Sequence, residues 1–154
     1  MQIKTAFGVV MTVGFAVILT LSDPQGASAD GPRGEAKDAE CSDQTLRGDY
    51  AFAIDGTLLT APPPGLIRGV AMTHFDGDGN LNQVDFVTLN GAGGTDWRPA
   101  TGTYTVNPDC TGEAQILPDG APPLNLRLVV GDRGRQVWTI VIGNATGSTG
   151  TRVR

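Results

Sequence analysis

Two adjoining stretches near the carboxyl end decide the fold class, Leu124-Asn-Leu-Arg-Leu-Val-Val130 and Gln136-Val-Trp-Thr-Ile-Val-Ile142. In the first stretch apolar and polar residues alternate from Leu124 to Leu128, which is the pattern of a strand with one buried face. The second stretch is rich in β-branched residues, which favour strands. Residues 131–135 between them contain glycine and aspartate, as turns do. Together the two stretches predict an antiparallel hairpin.

Six further runs of the same kind accompany this hairpin. The eight predicted strands cover residues 46–54, 66–75, 81–90, 101–106, 112–117, 124–130, 136–142 and 146–153. An even number of strands with short connections predicts a single antiparallel eight-stranded up-and-down barrel, because a closed sheet leaves no exposed edge. A β-sandwich is the alternative, since it shows a similar spacing of strands and turns.

The amino-terminal segment has a different character. Lys4 is followed by an apolar stretch over residues 6–21, and Ala27-Ser28-Ala29 then forms the small-x-small pattern that signal peptidase accepts. We predict a signal peptide over residues 1–29, a polar tether over residues 30–40 and the β-barrel domain over residues 41–154. An uncleaved membrane anchor is the alternative, although a spanning helix needs about 20 apolar residues. The expected product is secreted or periplasmic, with no membrane attachment after signal cleavage.

The overall composition argues against several classes of protein. Hydrophobic residues make up 40% of the chain, which is enough for a folded core. The net charge is −5 and no basic run is present, so nucleic acid is a poor partner. One histidine and two cysteines are too few for a Cys/His zinc cluster. We therefore predict neither a metal nor a cofactor.

One short segment, Asp76-Gly-Asp-Gly-Asn80, superficially resembles a calcium-binding loop. The EF-hand loop needs glycine at its sixth position and glutamate at its twelfth, and this chain has Leu81 and Val87 there. We therefore predict a hairpin turn, with a weak calcium site as the alternative.

The two cysteines, Cys41 and Cys110, both lie in the predicted mature chain, and an oxidising compartment favours their pairing. Consecutive strands of a meander alternate in direction. Cys41, before the first strand, and Cys110, after the fourth, therefore lie at the same end of the barrel, which we call the bottom. We predict a Cys41–Cys110 disulfide, with two free thiols as the alternative.

The predicted connections differ between the two ends of the barrel. Those at the bottom are tight turns rich in Asp, Asn and Gly, at residues 76–80, 107–112 and 131–134. Those at the opposite end, the top, cover residues 60–65, 91–99, 118–123 and 143–145, and three of the four contain proline. The longer connections at the top predict that any ligand enters there.

Three blocks of sequence resemble a group of uncharacterised secreted bacterial β-barrel proteins. They are Cys41-x4-Leu46-x-Gly48-x-Tyr50-x-Phe52, Phe75-Asp-Gly-Asp-Gly-Asn80 and Gly102-Thr-Tyr-Thr-Val-Asn-Pro-Asp-Cys-Thr-Gly112. The resemblance implies an exported, single-domain barrel and brings no catalytic residues with it. More loosely, the eight-strand plan is similar to calycin and allene-oxide-cyclase-like barrels. Lipocalins, which are calycins, carry Gly-x-Trp on the first strand, where this chain has Gly48-Asp49-Tyr50.

Six residues are the candidates for ligand binding, and no catalytic residue is assigned. They are four aromatic residues and two polar ones: Trp97, Tyr50, Tyr104, Trp138, Arg68 and His74. Aromatic side chains line pockets well, although they are more often simply core. Trp97 lies in a glycine-rich connection, where packing alone explains it less well. His74 is the only histidine of the chain. The alternative is that it lies exposed on the barrel and has no part in binding.

Three classes of function agree with these features. The first is an exported binding protein that holds a small apolar or amphipathic molecule, and it is the one we favour. The second is a structural or surface protein with a packed core. The third is a cofactor-free isomerase or cyclase of the allene-oxide-cyclase type, with Arg68, His74 or Asp85 as its inward polar group. The enzyme assignment thus stays open, with a non-enzyme favoured, and a large cavity would favour the first and third classes over the second.

The signal-peptide interpretation predicts the amino terminus of the exported protein. Because cleavage follows the small-x-small pattern, the mature chain should begin at Asp30. Amino-terminal sequencing and intact-mass measurement of protein collected outside the cytoplasm test this expectation. A chain that still begins at Met1 would support the membrane-anchor alternative instead.

Overall fold

A computed structural model describes residues 40–60 and 62–154 of the chain. The predicted signal peptide and nearly all of the predicted tether lie outside these residues. The described part forms nine strands and two short 3₁₀ turns. The strands are β1 (Arg47–Leu58), β2 (Gly65–Asp76), β3 (Asn80–Leu89), β4 (Ala92–Gly93), β5 (Arg98–Val106), β6 (Thr111–Pro118), β7 (Leu124–Gly131), β8 (Gln136–Val141) and β9 (Ala145–Arg152). Within this range no helix is long and apolar enough to cross a membrane.

Eight of the strands close into a ring. Every neighbouring pair is antiparallel, and the order around the ring is β1, β2, β3, β5, β6, β7, β8 and β9, which pairs again with β1. The predicted eight-stranded up-and-down barrel is therefore confirmed. The two-residue strand β4, which the sequence did not reveal, pairs only with the end of β3 and lies outside the ring.

Alternation along each strand sends one set of side chains into the barrel. On β7, for example, Leu126, Leu128 and Val130 are buried, whereas the residues between them are exposed. The inward positions near the bottom carry the larger side chains, and these form the hydrophobic core. The most deeply buried members include Leu46, Tyr50, Phe75, Leu81, Tyr104 and Val137.

Three aromatic rings fill the bottom of the barrel. Phe75 lies between Tyr50 and Tyr104, with ring centroids 5.2 and 4.9 Å away and both contacts edge-to-face. The Tyr104 hydroxyl donates to the Leu46 carbonyl at 2.8 Å and accepts from the Gly77 amide at 2.9 Å. Burial raises the pKa of Tyr104 to about 12, so this hydroxyl stays protonated and able to donate.

The segment before β1 covers the bottom from outside. The Asp43 carboxylate accepts a hydrogen bond from the Val106 amide at 2.6 Å, and Leu46 is fully buried. Gly134 lies so close to Thr45 that a side-chain carbon would collide with the Thr45 carbonyl oxygen, and its φ of 82° also requires glycine.

The predicted Cys41–Cys110 disulfide is present, with a Cα–Cα distance of 5.0 Å. The Cys41 amide also donates to the Pro108 carbonyl at 3.1 Å. The bridge therefore ties the segment before β1 to the β5–β6 turn at the same end of the barrel, as the meander predicted.

Removing the disulfide should lower the free energy of unfolding. The bridge joins residues that are 69 positions apart. In the chain-entropy model, closing a loop of that length stabilises the fold by about 4 kcal/mol. We expect the free energy of unfolding of a Cys41→Ser/Cys110→Ser variant, measured by urea denaturation, to be lower than that of the wild type by about this amount. A midpoint equal to that of the oxidised wild type would show that the bridge adds nothing to the hydrogen bonds of the bottom.

Candidate functional site

A cavity of about 860 Å³ occupies the upper part of the barrel interior. Its walls are mainly apolar, with Phe52, Ile54, Ile116 and Leu126 among the contributing side chains. Phe75, Leu81 and Val137, which belong to the core cluster, line its lower part. The cavity is therefore the part of the interior that the core does not fill.

Small inward residues leave this space open. Ala71 on β2, Ala114 on β6 and Ser148 on β9 line the cavity at positions where a larger side chain would occupy it. At Gly150, by contrast, the Phe52 ring lies where a side-chain carbon would be. The interior is thus packed around Phe52 near β9 and open where alanine and serine face inward.

The cavity extends to the connections at the top of the barrel. Thr60, residues 92–94 and residues 121–123 contribute to its lining. Asn144 also lines the cavity, so all four connections that the sequence assigned to the top contribute to it. No residue of the tight bottom turns at 76–80, 107–112 or 131–134 lines the cavity.

A connected row of polar side chains crosses one wall. Thr73 on β2 donates to Gln83 on β3 at 2.8 Å, and Gln83 donates to Asp85 at 3.1 Å. Arg98 on β5 then donates to both oxygens of Asp85, from Nε and Nη2, each at 3.0 Å. Thr73 and Gln83 are direct cross-strand partners, as are Asp85 and Arg98. All four side chains line the cavity.

This row is well satisfied internally. Asp85 is 3% exposed, and the bidentate guanidinium supplies the opposite charge that a buried carboxylate needs. Among the described residues, no buried side-chain oxygen or nitrogen lacks a hydrogen-bond partner. The Gln83 amide orientation follows from its neighbour, because an ionised Asp85 can only accept and must therefore face the Gln83 nitrogen.

A second polar pair lies on the opposite side of the ring. Thr139 on β8 and Ser148 on β9 are cross-strand partners, and their hydroxyl oxygens are 2.8 Å apart. Nearby, Asn144 accepts a hydrogen bond from the Leu59 amide at 3.1 Å. The cavity therefore combines an apolar lining with two polar patches.

Three of the six predicted ligand-binding residues point outward. His74 lies 2.8 Å from Asp49 on the outer face, and Arg68 lies 3.9 Å from Asp55, with both Arg68 and His74 more than half exposed. Trp138 is 43% exposed and covers Gly131. Alternation explains this outcome, since Ala71, Thr73 and Phe75 take the inward positions of β2.

The other three predicted residues also lie outside the cavity lining. Tyr50 and Tyr104 point inward but belong to the aromatic cluster at the bottom. Trp97 is 57% exposed in the connection before β5, where its ring packs against Phe86 at a centroid distance of 6.2 Å. A ligand-binding role for the six residues therefore stays a prediction from the sequence, and the cavity is lined by others.

Sequence reasoning did identify Asp85 as a candidate inward polar group, but it missed Thr73, Gln83 and Arg98. The pattern of β3 places Leu81, Gln83, Asp85 and Val87 on one face, and the opposite face carries Val84 and Phe86. Both faces mix polar and apolar residues, so the strand alone does not show which one is inward. The signal lies in pairing, because Asp85 faces Arg98 only once β3 and β5 are neighbours.

The Asp76–Asn80 segment forms the predicted hairpin turn. Asp76 accepts hydrogen bonds from the Asp78 amide, the Asn80 amide and the Asn80 side chain at 2.7, 3.0 and 2.8 Å. These bonds, led by the one from the Asn80 side chain, lower the pKa of Asp76 below its usual value. No group of three metal-ligating side chains occurs within the described residues.

Comparison with protein-family models, with curated proteins and with solved structures finds no match for this chain. The resemblance to secreted bacterial barrels stays a prediction from the sequence.

The Arg98–Asp85 pair should contribute to stability, because removing the guanidinium leaves a buried carboxylate unpaired. We expect Arg98→Met to lower the free energy of unfolding by about 3 kcal/mol. This value is at the low end of the range for buried ion pairs, because the Arg98 side chain is one-third exposed. Arg68→Met is the matched control on the outer face and should cost less than about 1 kcal/mol. Equal losses in urea denaturation would contradict a special role for the inward pair.

Proposed function

We propose that this protein is an exported binding protein that holds a small apolar or amphipathic molecule inside its barrel. The observation that carries the proposal is the largely apolar cavity of about 860 Å³. Ligand pockets of proteins typically measure roughly 300–1,000 Å³ and combine apolar walls with a few fixed polar groups. The cavity matches this description in both size and chemistry.

The driving force would be burial of the apolar part of the ligand. Each Å² of apolar surface removed from water contributes about 25 cal/mol. Side chains such as Ile54, Ile116 and Leu126 offer a surface held in place by the closed sheet. A cavity that already exists spares the ligand the cost of opening the core.

The top of the barrel is the expected way in. Connections at this end line the cavity, and Pro122 and Pro123 restrict the backbone of one of them. The bottom, by comparison, is filled by the aromatic cluster and tied to the segment before β1 by the disulfide. A ligand therefore meets less structure at the top than at the bottom.

Export is the second part of the proposal. The disulfide supports an oxidising compartment, in which such bridges form and persist. The signal peptide predicted over residues 1–29 lies outside the described residues and supplies the sequence argument for the same compartment. A secreted or periplasmic location follows from the two together.

The polar row favours binding over catalysis. A cyclase or isomerase of the cofactor-free type needs a polar group that is free to act on its substrate. Both oxygens of Asp85 accept hydrogen bonds from Arg98, and one also accepts from Gln83. Asp85 is thereby engaged within the wall and holds the Arg98 guanidinium in place.

A pair of substitutions on β6 tests the proposal. Ile116 faces the cavity, whereas the next residue, Leu117, is 43% exposed on the outer face. Ile116→Trp should occupy the cavity and weaken binding of the neutral fluorescent probe N-phenyl-1-naphthylamine by at least about tenfold. Leu117→Trp is the matched control and should leave the dissociation constant unchanged.

The measurement is a fluorescence titration of wild type and both variants, with thermal unfolding to confirm that each is folded. Equal probe binding by Ile116→Trp and wild type would place the probe outside the barrel and contradict the proposal. Absence of probe binding by wild type would favour the structural class with a packed core. Native mass spectrometry of protein from its own host would further reveal a retained molecule.

A further inference from the structure

The hydrogen-bond acceptors and donors that line the cavity differ in how many already have a partner in the protein. Its principal acceptors are already occupied: both oxygens of Asp85 accept from Arg98, and the Gln83 carbonyl accepts from Thr73. The Asn144 carbonyl likewise accepts from the Leu59 amide. A ligand donor would therefore have to share these oxygens with the donors that they already serve.

Donors, in contrast, are left over. Arg98 uses Nε and Nη2 toward Asp85, and its Nη1 makes no hydrogen bond to any residue from 40 to 60 or from 62 to 154. Across the ring, only one hydroxyl proton of the Thr139–Ser148 pair is needed for their mutual bond, so the other is free to be donated. The donors without a partner among the described residues thus include Arg98 Nη1 and one hydroxyl of the Thr139–Ser148 pair.

The charges in the lining argue against an anionic ligand. Asp85 and Arg98 neutralise each other, and the remaining ionisable lining residue, Asp96, is negative and exposed. The chain as a whole has a net charge of −5. A carboxylate brought into the cavity would meet a guanidinium whose charge is already balanced, and it would lose its own hydration.

From these two properties we infer that the ligand is a neutral molecule with an apolar body and a hydrogen-bond acceptor, such as a ketone, ester or amide carbonyl. The acceptor is bound by the free edge of Arg98, while Asp85 holds the guanidinium in place and cancels its charge. A fatty-acid carboxylate and an alkylammonium ion are both disfavoured. The inference rests on the proposed function and adds to it the chemistry of the ligand.

The direct test compares three head groups on one alkyl chain. Decan-2-one, decanoate and decylamine are each used to displace N-phenyl-1-naphthylamine from the wild-type protein at neutral pH. Decan-2-one should displace the probe at a concentration at least about tenfold lower than either charged compound, because each charged head group loses hydration without a counter-charge. Equal or stronger displacement by decanoate or decylamine overturns the inference.

A substitution of the same size that removes one negative charge separates the charge of Asp85 from the hydrophobicity of the cavity. Asp85→Asn keeps an acceptor for Arg98 but removes the balancing charge, so the guanidinium should now favour an anion. We expect the concentration of decanoate that displaces the probe to fall at least about tenfold relative to that of decan-2-one. Asp55→Asn is the matched control, since it removes the same charge near an arginine on the outer face and should leave the ratio unchanged.

The outcomes distinguish the two proposals. If the wild type fails to bind the probe, the proposed function itself fails. If the probe binds and decan-2-one has no advantage, only the inference about the ligand fails. If thermal denaturation shows no folding transition for the Asp85→Asn variant, the comparison of the three head groups on the wild-type protein still decides whether the inference about the ligand holds.

Discussion

Closure of the sheet is the constraint on which the rest of the structure depends. Because β1 pairs with both β2 and β9, and β3 with both β2 and β5, all eight ring strands share one interior. Each strand contributes alternate side chains to that interior, so large inward residues at one end leave room only at the other. Tyr50, Phe75 and Tyr104 fill the bottom, and the cavity is what remains above them.

The bottom is held by polar contacts as well as by packing. The Tyr104 hydroxyl joins the Leu46 carbonyl to the Gly77 amide, two groups from different connections that would otherwise lose hydrogen bonds on burial. The disulfide adds a covalent tie between the segment before β1 and the β5–β6 turn. One end of the barrel is thereby fixed by a covalent bond and by hydrogen bonds.

Within the cavity, the Asp85–Arg98 pair has a structural role, and the proposed recognition of a ligand depends on the same contact. An unpaired carboxylate that is 3% exposed would be costly, and the bidentate guanidinium removes that cost. The same contact turns the remaining N–H groups of Arg98 into fixed donors.

The sequence by itself predicted the eight strands, the closed antiparallel sheet with a sandwich as its alternative, the Cys41–Cys110 bridge and the difference between the two ends. These features follow from local patterns, namely period-two alternation, turn residues and strand parity. The tertiary structure alone decided which face of β2 and β3 is inward. Arg68 and His74 share their face with Val70, and Asp85 shares its face with Leu81, so polarity along one strand is ambiguous. Only the pairing of β3 with β5 brings Arg98 to Asp85, and only the sum of all inward side chains leaves a cavity.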